Sequence, residues 1–418
     1  MTSPTPTRTH GKNAFLFVIV TVAIDMMAFG LIIPVIPTLI QDLTGVPPEN
    51  ATLWIGALAA TYAVFNFFAG PILGALSDRF GRRPVLLGSI AMLGIDFIIM
   101  GLSGSIGVLF LGRALSGIGG ATVSTASAYI ADTTEPKDRA KAFGKIGAAF
   151  GFGFVFGPVF GGLLGEIDPR APFFVAAGLA GLNFLYGWLV LPESLAPENR
   201  RPFQLARANP FGAARHFSKL PQVSWLLIAG GAYFFAHTVF PSTWAIHGEI
   251  RYDWSPREIG LSLGLVGLGA SLVQALMMGP MIKRFGPVRT ATFGLCTHVV
   301  TMAAYAFAFA PWMALLIIPF NALGGVATPA INSLMSTVTP RNAQGELQGA
   351  TASLNALAMI FGPLTMNAVL FAATHAGSEL RFPGAAFLLA SVITALVLIP
   401  FFRGVKANSA ALAASAAV

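Results

Sequence analysis

Twelve apolar stretches, each about 20 residues long, constrain this chain more than any other feature, because that is the length a helix needs to cross the hydrocarbon of a bilayer. They fall near 14–37, 53–75, 84–103, 107–130, 141–164, 172–191, 222–246, 256–281, 288–308, 311–336, 345–371 and 382–402. Inside hydrocarbon every backbone N–H and C=O must find its partner within the segment, so such stretches are helices. Composition agrees: 55% of the residues are hydrophobic and 10% charged, with a mean hydropathy of +0.73. A soluble protein could not bury so many apolar side chains without exposing large patches. The predicted fold class is an all-α membrane protein with 12 transmembrane helices.

Lysine and arginine collect beside cytoplasmic span ends. On one side lie Arg8, Lys12, Arg79, Arg82, Arg83, Lys137, Arg139, Lys141, Lys145, Arg200, Arg201, Arg207, Arg215, Lys219, Lys283, Arg284, Arg289, Arg341, Arg403 and Lys406; the other side holds Arg170, Arg251, Arg257 and Arg381. This asymmetry predicts both termini and the central 192–221 segment in the cytoplasm. The net charge of +8 is spread singly between apolar runs, so no nucleic-acid partner is expected. The one cysteine, Cys296, offers neither a disulfide nor a thiolate metal site. The first apolar run carries Asp25 and two prolines without a small-residue cleavage pattern, so it reads as the first span rather than a signal peptide. Residues 1–12 and 404–418 read as disordered tails.

A constant shift of 205 positions brings glycines and prolines into coincidence: Gly74 with Gly279, Gly81 with Gly286, Gly119-Gly120 with Gly324-Gly325, Gly144 with Gly349, and Gly157-Pro158 with Gly362-Pro363. The predicted organisation is therefore a six-helix bundle over 1–191, a linker loop over 192–221 and a second six-helix bundle over 222–418, with substrate bound at the midplane between bundles.

The loop between the second and third spans reads Gly74-Ala-Leu-Ser-Asp78-Arg79-Phe-Gly81-Arg82-Arg83. Its glycines suit close approach and a tight turn, and Asp78 can pair with arginine or cap a helix. The second copy, Gly279-Pro-Met-Ile-Lys283-Arg284-Phe-Gly286, lacks the aspartate. Span 4 carries Leu109-Phe-Leu-Gly-Arg113-Ala-Leu-Ser-Gly117-Ile-Gly119-Gly120-Ala121, and an arginine inside a span calls for a partner or a watery cavity. Span 5 carries Gly153-Phe-Val-Phe-Gly157-Pro158-Val-Phe-Gly161-Gly162-Leu163, where proline bends the helix and small residues admit close packing. Asp25 lies in span 1 within Asp25-Met-Met-Ala-Phe-Gly30-Leu-Ile-Ile-Pro34-Val-Ile-Pro37, and Asp96 lies in span 3. Low dielectric disfavours the charged form of a carboxylate, which is what proton coupling requires. From the residues alone, Arg113 calls only for such a partner, a structural tie to carbonyls included, and each aspartate serves coupling or a pore-facing or salt-bridged structural role.

These segments closely resemble the signature motifs of the major facilitator superfamily, and most resemble its twelve-helix drug/proton antiporters, in particular the tetracycline efflux antiporters. The resemblance spans nearly the whole chain and includes Tyr129-Ile-Ala-Asp132-Thr, Leu191-Pro-Glu-Ser194 and Gly345-Glu-Leu-Gln348-Gly349. It implies the major facilitator fold and proton-coupled efflux of a small amphipathic compound, tetracycline or a related drug, by alternating access. Asp25, Asp96 and Arg113 would couple protons. Gly74, Asp78, Arg79, Gly81, Arg82 and Arg83 would latch the halves outward-facing, and Gly153, Gly157, Pro158, Gly161 and Gly162 would mark the antiporter branch. It further implies a bacterial inner-membrane location, a monomer, and the proton gradient as energy source with no cofactor, the substrate arriving free or metal-chelated. A sugar or metabolite facilitator on the same fold is the competing reading. An enzyme is not expected, because no nucleophile elbow, phosphate loop or metal-spaced cluster occurs.

Two departures fall where substrate chemistry is decided: Asn66 stands where a glutamine is usual, and His298 where the antiporters are acidic. A neutral or cationic histidine cannot replace the negative charge that a carboxylate brings to a cation-chelated drug, though it can carry a proton. The remaining candidates for the cavity wall are His237, Gln274, Asn321 and Asn332, with Gln274 placed first by the resemblance.

Overall fold

The computed structural model describes residues 11–120, 122–135, 138–203 and 222–416, and no β-strand occurs among them. The first crossing is α1 (Gly11–Ile32) continued after a break at Pro34 by α2 (Ile36–Thr44). Then follow α3 (Pro48–Phe80), α4 (Arg82–Gly101), a crossing split at Gly120 into α5 (Ile106–Gly119) and α6 (Thr122–Thr133), α7 (Arg139–Ile167) and α8 (Ala171–Val190). The second set comprises α9 (Ser224–His237), α10 (Val239–Tyr252), α11 (Pro256–Leu272), α12 (Met278–Phe307), α13 (Pro311–Gly324), α14 (Ala327–Val338), α15 (Gln344–Thr374), α16 (Ala385–Ala407) and α17 (Ser409–Ala416).

Among the described residues, ten helical runs are long and apolar enough to cross a membrane. One of them, the 52-residue Pro256–Phe307, holds two predicted spans, turned at Gly286 where φ is 76°. The predicted span 222–246 is divided into α9 and α10, of 14 residues each. The ten runs thus hold eleven of the predicted crossings, and the α9–α10 pair is the twelfth. The C-terminal tail differs from expectation. Helix α16 runs to Ala407 and α17 follows, because the Asn408 amide donates to the carbonyls of Gly404 and Gln222 and the alanine-rich segment has high helix propensity. Residues 1–10 of the N-terminal tail and 204–221 of the linker lie outside the described residues.

Two helix seams join the segments 11–191 and 222–416: α7 packs on α11, and α3 packs on α15. The repeat shift carries α7 onto α15 and α3 onto α11, so the seams are copies of one contact. Small residues make them possible. A Cβ at Gly153 would lie 2.5 Å from the Ala23 carbonyl, and one at Gly157 2.5 Å from that of Met27, so these glycines seat α7 on α1. A Cβ at Gly162 would lie 3.0 Å from the Gly260 Cα and would strike the Pro256 carbonyl, so Gly162 seats α7 on α11. At the matching place on the other seam, Gly56 faces the Pro363 carbonyl at 3.0 Å.

Both seams close toward the end that holds the 44–48 and 252–256 connections. There Gln41 Nε2 donates to Glu249 Oε1 at 2.8 Å, joining the two sets of helices through side chains. At the opposite, basic end the seams part: Gly74, Gly144, Gly279 and Gly345 have no neighbouring atom within 4 Å of a built Cβ. Gly74, expected to permit close approach, therefore faces open space in this conformation. Overpacking a tight seam costs about 1–3 kcal/mol. Gly162→Val is expected to lower the melting temperature of the detergent-solubilised protein, and Gly144→Val to leave it unchanged, as read by thermal-shift fluorescence.

Candidate functional site

A cavity of about 160 Å³ lies between the two helix sets. Its wall is mostly aliphatic, with Ile32, Ile36, Ile55, Leu58 and Met359, and its polar members include Tyr62, Arg113, Thr238 and Ser242. A second cavity, of about 80 Å³, holds Asp25, Ser116 and Thr122. Phe29, Ile32, Tyr62 and Arg113 border both. The charged pocket thus lies directly behind the wall of the central cavity.

Asp25 is buried, with Thr122 hydrogen-bonded to its carboxylate and Oδ1 left without a partner among the described residues. Asp96 is fully buried; one carboxylate oxygen accepts from the Ser116 hydroxyl and the other has no described partner. Among the described residues Arg113 donates only to the weak acceptor Met100 Sδ, at 3.5 Å, and its buried Nε has no partner there. No ion pair within 4.0 Å joins Arg113 to either acid among the described residues. Two acids and one arginine with spare hydrogen-bonding capacity can exchange a proton without breaking a strong pair. Sequence reading missed Tyr62, Ser116 and Thr122. Ser116 lies three residues after Arg113, so helical spacing puts it on the arginine's side of the helix.

The expected cavity residues are not all at this wall. Asn66 sits behind it, donating to the Tyr62 hydroxyl at 3.2 Å and packed against Gly117 and Gly120. His298 is buried inside the second helix set, beside Thr394, Tyr233 and His237. Asn321 Oδ1 accepts from Thr301, also within that set. Asn332 lines a narrow crevice with Tyr233 and Leu354. Gln274 is exposed in a π turn over Val273–Met277, one turn beyond Ser271, whose Oγ faces Gly151 across the α7–α11 seam. Such turns commonly mark functional positions. Of these residues, His237 and Asn321 lie within about a turn of the helix breaks at Thr238 and Gly325, which periodicity alone does not reveal.

At the basic end Arg82 binds Asp132 at 3.0 Å, Asp78 at 2.5 Å and Ser77 at 3.1 Å. Glu193 accepts from the backbone N–H groups of Arg82 and Arg83, at 2.8 and 3.3 Å, and so caps α4. Arg83 reaches the Trp188 carbonyl at 2.8 Å, and Arg79 lies over the Phe80 ring. Gly81 has φ 109°, and a Cβ there would collide with the Glu193 carboxylate. Every described contact of this loop stays within residues 11–203, so in this conformation it braces one helix set rather than bridging the two.

The model of the Major Facilitator Superfamily matches residues 18–363 and 243–417. The class C tetracycline resistance protein of Escherichia coli is 40% identical over 94% of this chain and 97% of its own length. The class G protein of Vibrio anguillarum is 37% identical over 87% and 91% of the two lengths. This chain belongs to the major facilitator superfamily. Solved structures of the superfamily's fold agree: a human organic anion transporter aligns with TM-score 0.70 at 22% identity, covering 96% of this chain and 100% of that one. A nucleoside transporter aligns with TM-score 0.77 at 13% identity, covering 94% and 99%. With ten membrane-length apolar runs among the described residues, the chain is a multi-pass membrane protein.

Two predictions follow from the two ends. Strain at a positive φ costs about 1–3 kcal/mol, so Gly81→Ala is expected to destabilise the protein, measurable as a lowered melting temperature, and additional Glu193→Ala to recover part of the loss. At the far end, burial raises the Glu249 carboxyl above its usual range against the opposing effect of the Gln41 hydrogen bond. Closing that end therefore takes up a proton, and closure is favoured as pH falls. Alkylation of a cysteine placed at Gln41 in a Cys296→Ser background is expected to slow as pH falls when compared at equal thiolate concentration. Equal rates across pH would exclude this role for Glu249.

Proposed function

We propose that this chain is a proton-coupled exporter of a small amphipathic drug, tetracycline or a relative of it, working as a monomer by alternating access in the bacterial inner membrane. The observation that carries the reading is the common wall: the pocket of Asp25 shares Phe29, Ile32, Tyr62 and Arg113 with the cavity between the helix sets. Protonation in the pocket and occupancy of the cavity act on the same side chains, which gives the two ligands a way to oppose one another. The positive-inside asymmetry supports placing the basic end, both termini and the 192–221 linker in the cytoplasm. On that assignment the seams part toward the cytoplasm, the arrangement that loads drug.

The cycle follows from the geometry. With 1–191 and 222–418 acting as rigid halves, drug enters from the cytoplasmic side and seats against the aliphatic wall near Tyr62 and Arg113. The halves then rock about the paired α7–α11 and α3–α15 seams, and the far end opens when the Gln41–Glu249 hydrogen bond gives way. In the outward-facing state the Asp78–Arg82 loop would trade contacts within its own half for contacts across to the other. A proton from outside enters Asp25 or Asp96, Arg113 shifts its attraction between the two acids, and the drug is released. The proton gradient alone drives the return, with no cofactor.

In everted vesicles carrying this protein, tetracycline is expected to evoke proton release, and Asp25→Asn is expected to reduce it by more than tenfold while the variant stays at wild-type abundance. A response confined to other amphipathic drugs would keep proton-coupled export and replace the substrate. Uptake of a sugar or metabolite down its gradient, with no proton release for any drug, would overturn the reading in favour of a facilitator.

A further inference from the structure

The second helix set contains a pair of histidines that the export cycle does not use. His298, on α12, is 1% exposed. Its Nδ1 lies 3.0 Å from the Thr394 hydroxyl oxygen on α16. The Thr394 hydroxyl already donates its proton to the Ala390 carbonyl at 2.8 Å, so its oxygen must accept from His298. The Nδ1–H tautomer is thereby selected, and the Nε2 lone pair is left buried without a partner among the described residues. An imidazole with one N–H held by a neighbouring acceptor and the other nitrogen bare is the arrangement found in metal-ligating histidines.

His237, at the end of α9, supplies a second imidazole, with ring centroids 5.7 Å apart. Two imidazoles sharing one tetrahedral ion, with metal–nitrogen bonds of about 2.0–2.1 Å, have ring centres about 5 Å apart, so a small rotamer change brings both to one ion. His237 is the more exposed of the two rings and so the one freer to change rotamer. The Tyr233 ring packs 5.0 Å from His298 and 6.0 Å from His237, while its hydroxyl donates to the Gly324 carbonyl at 3.3 Å, so the phenol is occupied and acts as a wall.

We infer that His237 and His298 form a binding site for a borderline divalent cation of the zinc, nickel and cobalt class. Imidazole donors suit these ions, whereas magnesium and calcium prefer oxygen donors. Two protein ligands leave further coordination positions open, to be filled by water around a free ion or by the oxygens of a chelating compound that carries the ion in. Either source uses the same pair. The site is defined by the two imidazoles and Thr394, and stands independently of proton-coupled export.

The test uses the full chain, purified without a histidine tag and with no proton gradient, so that failure of export and failure of this site are read separately. Zinc chloride is titrated against the protein by isothermal calorimetry, and cobalt chloride by visible absorption. A second arm titrates tetracycline in the presence of zinc or of magnesium. The expected result is saturable zinc binding that weakens at least tenfold in both His298→Gln and His237→Gln, is kept in Tyr233→Phe and His375→Gln, and does not occur with magnesium. His298→Gln keeps an amide able to hydrogen-bond Thr394, so near-wild-type melting temperature would confirm that it is folded. If zinc alone does not bind but zinc raises tetracycline affinity through the same two histidines, the ion arrives on the chelator and the site stands. If neither arm depends on His237 and His298, the inference is overturned.

Discussion

Hydrocarbon provides no hydrogen bonds, and the rest of this structure depends on that constraint. Each crossing must satisfy its backbone internally, so the chain becomes helices whose only freedom is how closely they approach one another. Close approach is supplied by absent side chains. Gly153 and Gly157 let α7 lie on α1, and Gly162 lets the same helix lie on α11. One helix thus carries both the packing of its own set and the contact with the other.

The same scarcity of polar partners gives the buried charges their meaning. Asp25, Asp96 and Arg113 keep unmet hydrogen-bonding capacity in a pocket bordering the central cavity. A fully paired triad would hold its protons rigidly; this one has room to gain and lose them. Toward the basic end, by contrast, Arg82 is held by two carboxylates and a hydroxyl, those of Asp78, Asp132 and Ser77, and Glu193 by backbone donors. That region is a brace in this conformation, and the difference between brace and pocket lies in how completely each charge is satisfied.

The second helix set is chemically different from the first despite the shared repeat. Where the first holds carboxylates and an arginine, the second holds His237 and His298 beside Tyr233, and its loop copy at Gly279–Gly286 lacks an aspartate. Duplicated architecture with diverged polar residues lets one half handle protons while the other is free to recognise a different ligand.

Much was legible in the sequence because it follows from one-dimensional rules. Span length, the 205-residue repeat, the charge asymmetry and the family motifs are all local or periodic, and Asp25, Asp96, Arg113 and the α7 glycines could be named from them. Helix breaks are weaker signals: those at Pro34, Gly120 and Thr238 and the π turn at Val273–Met277 all fall inside stretches that read as single spans. His237 lies beside one of these breaks and Gln274 inside another. Only the tertiary structure placed Tyr62 between two cavities, set Glu193 on the α4 terminus, paired Gln41 with Glu249 and fixed the tautomer of His298 through Thr394. Each of these is a contact between distant segments, and no spacing along the chain encodes which face of one helix meets which face of another.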